Sequence, residues 1–119
     1  MTARRMKTYS GENGYVYQYY FLESRMQRRL WGRGGVAFLF HVTSDRKKFF
    51  VSEVLVEEAA LQAWERLHGR ALAEPERYAA AKMALFRAFD ESSRDEDLLR
   101  VRVGKADIES LLEPLRLDE

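Results

Sequence analysis

Residues 36–56 read Val-Ala-Phe-Leu-Phe-His-Val-Thr-Ser-Asp-Arg-Lys-Lys-Phe-Phe-Val-Ser-Glu-Val-Leu-Val, and the fold turns on how this stretch is divided. Val36 to Val42 and Lys48 to Val56 are apolar runs rich in β-branched and aromatic residues, the composition that fits a pleated, half-buried surface. Between them Thr-Ser-Asp-Arg-Lys supplies the short polar side chains that suit a reversal. An antiparallel hairpin is predicted. Upstream, Tyr15 to Glu23 (Tyr-Val-Tyr-Gln-Tyr-Tyr-Phe-Leu-Glu) is a further strand, preceded by the turn-like Ser-Gly-Glu-Asn-Gly of residues 10–14. Ser24 to Gly35 is polar, basic and punctuated by glycine around Leu30 and Trp31, so it reads as a long connection. Residues 1–8 are expected to be a loose arm ahead of a single domain over residues 9–119.

Downstream the period changes. From Glu57 to His68 the apolar residues Ala60, Leu61, Trp64 and Leu67 recur at three and four, one face of a helix, and Gly69 is a natural stop. Pro75 to Glu91 is a second helix, because proline is tolerated in a first turn where its missing donor would be unpaired. It puts Tyr78, Ala81, Leu85 and Phe89 on one stripe with Met83 and Phe86 beside it, an apolar arc wide enough to lie across a sheet. After the solvated Ser92–Asp97 segment, Leu99, Val101 and Val103 alternate with Arg100 and Arg102, which predicts a short strand with its arginines toward water. Ala106, Ile108, Leu111, Leu112 and Leu115 then suggest a terminal helix ending near Pro114. The order β-β-β-α-α-β-α predicts an α+β domain, an antiparallel sheet of three to four strands with two or three helices on one face. The other face would be left for function.

The composition supports a folded chain, with 46% hydrophobic residues set against 33% charged. The absence of cysteine excludes disulfides, thiolate metal sites and a cysteine nucleophile. No run approaches the roughly 20 apolar residues of a membrane span, so no membrane partner is expected and a cytoplasmic address is. The net charge of +1 conceals two unlike halves: residues 1–50 carry ten basic against three acidic residues (+7), and residues 51–119 carry ten against sixteen (−6). Eleven of the fifteen aromatic residues also fall in the first fifty, which directs the search for a binding surface there.

A period of two places Tyr15, Tyr17 and Tyr19 on one face of the first strand, next in sequence to Arg25, Arg28, Arg29, Trp31 and Arg33. Aromatic rings and arginines are the residue types that dominate protein-interface hot spots. They are also the types that stack bases and neutralise phosphates. The alternative to both is that the tyrosines pack against the helices while the arginines keep a loop soluble. Arg46, Lys47 and Lys48 form a second basic group, but a simple meander puts their turn at the opposite end of the sheet from residues 24–35. His41 and His68 are not at ligand spacing, and the acidic residues 90–97 lack the glycine and closing glutamate of a calcium loop. Neither Ser10-Gly11 nor Gly32-Arg33-Gly34-Gly35 completes a nucleophile elbow or a phosphate loop. No catalytic constellation and no cofactor fingerprint emerges. The expectation is a non-catalytic binding domain that meets a protein partner or its own copy through the aromatic, basic N-terminal half, with nucleic-acid binding as the alternative.

Overall fold

The computed structural model of this 119-residue chain describes residues 5–28 and 34–117. The described residues form β1 (Lys7–Ser10), β2 (Val16–Gln27), β3 (Gly35–Thr43), β4 (Phe50–Glu57), α1 (Glu58–His68), α2 (Glu74–Glu91), β5 (Arg100–Val103) and α3 (Ile108–Leu112). The α+β class stands. The hairpin of residues 36–56 is present as β3 and β4, paired from Val36↔Val56 to Val42↔Phe50.

Three details differ from expectation. The sheet has five strands in the order β1-β2-β3-β4-β5, and it is mixed, because β5 runs parallel to β4 with Val54↔Val101 and Val56↔Val103 in register. Parallel neighbours need a crossover of a dozen or more residues, and α1 and α2 supply it. Sequence periodicity carries no such directional information. Second, part of the expected N-terminal arm is β1, whose Lys7, Thr8, Tyr9 and Ser10 pair with Tyr19, Gln18, Tyr17 and Val16. Four mostly polar residues give no pattern of their own; the strand is specified by its partner. Third, β2 continues to Gln27, so Ser24–Gln27 is strand and the connection to β3 is shorter than residues 24–35 suggest. A register shift between Phe21 and Glu23 marks a bulge that breaks the alternation there.

All the strand residues of the core lie on one side of the sheet: Tyr17 and Tyr19 from β2, Val36, Phe38, Phe40 and Val42 from β3, Val54 and Val56 from β4, and Val103 from β5. Ala80, Ala81, Ala84, Leu85 and Phe89 of α2 cover them, and Ala60 and Trp64 of α1 and Ile108, Leu111 and Leu112 of α3 close the sides. Aromatic stacking registers α2 on the sheet. Tyr17 stacks on Phe89 at 4.3 Å between centroids, Tyr9 stacks on Phe86 at 4.5 Å, and Phe21 meets Tyr78 edge-on at 5.0 Å. Such pairs add about 0.5–1.5 kcal/mol beyond the area they bury.

Local signals end the helices where the sequence predicts. Gly69 adopts φ 77° and its N–H closes on the Glu65 carbonyl at 2.8 Å. At the start of α2 the Glu76 carboxylate accepts the Ala73 N–H at 2.8 Å, half of a capping box, since Ala73 offers no side-chain acceptor in return. At its end Asn13, in the β1–β2 turn, donates through Nδ2 to the carbonyls of Phe89 and Ser92, both at 2.8 Å.

Candidate interaction surface

Strand pairing assigns the side chains of the face turned away from the helices. Across the sheet they run in rows: Thr8, Gln18 and Thr43; Tyr20, His41 and Val51; Glu23, Leu39, Glu53 and Arg100; Arg25, Ala37, Leu55 and Arg102; Gln27, Gly35 and Glu57. Ala37, Leu39 and Leu55 are 0%, 7% and 8% exposed yet lie outside the core cluster. The side chains around them provide the shelter. Gln27 of β2 donates to Glu53 of β4 across the intervening β3, over the position of Ala37. Arg102 reaches from β5 to Glu57 beside Leu55.

This face is electrically balanced. Its register contains the cations Arg25, Arg100 and Arg102 and the anions Glu23, Glu53 and Glu57. Arg25 and Glu23 approach to 3.5 Å and Arg102 pairs with Glu57, while Gln27 satisfies Glu53. One end of the face is aromatic and apolar. The Tyr20 hydroxyl is hydrogen-bonded to Nδ1 of His41, whose ring lies 4.9 Å from that of Phe49. Phe49 and the neighbouring Val51 are 40% and 46% exposed. Beside them the β3–β4 turn is held by Asp45, whose carboxylate accepts the N–H groups of Lys48 at 2.9 Å and Lys47 at 2.8 Å. Those bonds hold the Asp45 carboxyl below its ordinary range.

The residues singled out from the sequence divide. Tyr17 and Tyr19 are 3% and 4% exposed, on the helix side of the sheet, so α2 occupies the surface they were expected to offer. Tyr15 precedes β2 and is 53% exposed, tilted against Tyr17 at 6.4 Å. Arg25 and Arg28 are exposed at the far end of β2, roughly 33 Å and roughly 43 Å along the chain from Tyr15 at about 3.3 Å per residue. Arg29, Trp31 and Arg33 lie outside the described residues. The turn Arg46–Lys48 and the connection after Gln27 do lie at opposite ends of β3, as the meander requires.

Tyr20, His41, Phe49 and Val51 were not grouped in the sequence reading. The signal that finds them is the opposite parity of β2: the aromatic series Tyr17, Tyr19, Phe21 must face the wide apolar arc of α2, which leaves Tyr20 for the other side. His68 is also engaged. Its ring stacks on Trp64 at 4.0 Å and Nε2 meets Glu109 at 2.8 Å, joining α1 to α3 beside a cavity of about 300 Å³. Among the described residues no group of three His, Cys, Asp or Glu side chains is placed to hold a metal ion, and no helix is long and apolar enough to cross a membrane. No family model, no curated protein and no solved structure matches this chain.

Proposed function

We propose that this chain is a non-catalytic interaction domain whose helix-free sheet face receives a protein partner. The observation that supports the reading is the charge balance of that face next to the exposed Phe49 and Val51. Phosphate binding calls for a net positive surface whose cations are available to anions. Here Arg25 and Arg102 already have carboxylate neighbours. An apolar, aromatic cluster bordered by polar groups whose charges are paired is instead the composition of a protein interface. Nucleic-acid binding remains the competing reading, and it rests on Arg25 and Arg28, exposed at the end of β2, with Arg29, Trp31 and Arg33 following them in sequence.

Two experiments separate the readings. A photo-crosslinker at Val51, introduced in cells, is expected to give a discrete protein adduct that the same group at Glu65, exposed on α1, does not give. Anisotropy of labelled single-stranded and duplex nucleic acids is expected to show no binding at about 50 mM salt. Tight binding that collapses by about 200 mM and disappears on replacing Arg25 and Arg28 would overturn the proposal in favour of the nucleic-acid reading.

A further inference from the structure

β1 runs alongside α2 in the same direction. Tyr9 stacks on Phe86 and its hydroxyl reaches Asp90, one helical turn further on, while Asn13 in the following turn reaches the carbonyls of Phe89 and Ser92. Going back along both elements from Tyr9 and Phe86, two strand residues cover about 6.6 Å and four helix residues about 6 Å. The residue level with Lys7 is therefore Lys82. Lys7 faces the helix, because it shares the parity of Tyr9 and pairs with the core residue Tyr19. The Lys82 ammonium lies 5.7 Å from the ring centroids of both Tyr78 and Phe86, and the Tyr19 ring meets that of Phe86 edge-on at 5.6 Å. Two cations thus converge over a floor of aromatic rings.

Nothing acidic answers them. The helix positions one turn from Lys82 are Tyr78, Ala79, Leu85 and Phe86, and the residues across from Lys7 and diagonal to it on β2 are Tyr19 and Tyr17. Among the described residues neither lysine takes part in an ion pair. Burial, then the charge of Lys7, hold the Lys82 ammonium below its ordinary value. Two like charges brought together without a counterion cost the free protein stability, and a bound anion relieves that cost. We propose that Lys7 and Lys82 bind a phosphate dianion, free or carried as a monoester, between β1 and α2. At neutral pH a phosphate monoester bears a charge near −2 and three strong acceptor oxygens, which matches two ammonium groups of three donors each. A carboxylate or a phosphodiester carries only one negative charge and leaves one lysine uncompensated. The rings of Tyr78 and Phe86 beside the ammonium keep water from one side of the ion and offer an apolar surface to the body of an ester.

This site lies on the helix side of the sheet, apart from the face proposed to receive a protein partner, so either reading can fail without the other. The test is an NMR titration of the full chain with inorganic phosphate, phenyl phosphate and dimethyl phosphate at about 50 mM chloride, where screening is modest. The ε-methylene signals of Lys7 and Lys82 are expected to move together and to saturate with a Kd of about 1 mM or tighter for the two dianions. Dimethyl phosphate, a monoanion, is expected to bind at least about tenfold more weakly. K7Q and K82Q are each expected to weaken phosphate by about tenfold or more, whereas K47Q, in the exposed β3–β4 turn, leaves it unchanged. Both variants remove one of two facing like charges, so thermal unfolding should show them folded. Phenyl phosphate binding more tightly than inorganic phosphate identifies the ligand as an ester with an apolar body, and the reverse identifies the free ion. Signals that drift without saturating up to about 20 mM, equal affinity for dimethyl phosphate, or binding indifferent to K7Q overturns the proposal.

Discussion

At the scale of single residues, two ionisable groups carry structure whose loss can be read by pH. The Tyr9 hydroxyl donates to both oxygens of Asp90, at 2.9 and 2.8 Å, and so ties β1 to the last turn of α2. Burial, then the bond to Asp90 and the charge behind it, push Tyr9 up from 10.0 to about 12. Because the folded value exceeds the unfolded one, the stability from this group is complete below pH 10 and is lost as pH rises through about 12. Tyr9→Phe is expected to cost about 1–3 kcal/mol at neutral pH and to flatten the alkaline limb of stability, measured by urea unfolding across that range. Glu76 works at the other extreme. Arg70 donates to it at 2.8 and 2.9 Å, the Ala73 N–H adds a third bond, and the carboxyl falls from 4.5 to about 2. A depressed value means stability present above pH 4.5 and lost as pH falls toward 2. Glu76→Gln is expected to lower stability by about 1 kcal/mol at neutral pH and to remove part of the acid dependence in that window. A variant that unfolds in acid along the parent's curve would refute the assignment.

At the scale of elements, close approach of backbones sets what each strand and turn tolerates. A Cβ at Gly35 would meet the Val56 carbonyl oxygen at 2.2 Å and Glu57 Cα at 2.9 Å, both fixed main-chain atoms of the facing strand. Gly35→Ala is therefore expected to open the β3–β4 ladder at its end and to cost about 3 kcal/mol or more. At Gly69 nothing lies within 4 Å, and the objection is only the left-handed φ of 77°. Gly69→Ala should cost roughly 1–2 kcal/mol, and chemical denaturation of the two variants should rank them in that order. The contrast also shows what was legible in the sequence. Gly69, Pro75, the helical stripe from Tyr78 to Phe89 and the β3–β4 hairpin are local signals, and α1 and α2 each begin within a residue of the expected start. β1, the tail of β2 and the direction of β5 depend on partners distant in the chain, so periodicity could not supply them. The face that Tyr17 and Tyr19 occupy is not legible in the sequence for a related reason. Tyr15, Tyr17 and Tyr19 share a parity, but which parity faces the core depends on α2, more than fifty residues away in sequence.

At the scale of the whole molecule, the sheet divides two tasks between its faces. The helix side holds the large side chains that exclude water, with Phe40, Leu85, Phe89 and Trp64 at 0–2% exposed. The opposite side holds short apolar residues under bridges of paired polar groups, with Phe49 and Val51 left open at its aromatic end. Stability and binding should therefore separate by mutation. Phe40→Ala removes a ring at full burial and is expected to cost about 3–5 kcal/mol. The double variant Phe49→Ser, Val51→Ser removes exposed apolar surface and is expected to shift stability by no more than about 1 kcal/mol, while abolishing the adduct formed by a crosslinker placed at Thr8, on the same face and three strands across from Val51, roughly 14 Å at about 4.8 Å per strand. Thermal unfolding and crosslinking yield, measured on the same preparations, decide the matter. If the serine variant unfolds as readily as Phe40→Ala, the aromatic end is part of the core's support and the division between faces fails. If it folds like the parent and the adduct persists at full yield, Phe49 and Val51 are not the anchor, and the working contact must be sought in the charged rows nearer Arg25 and Arg102.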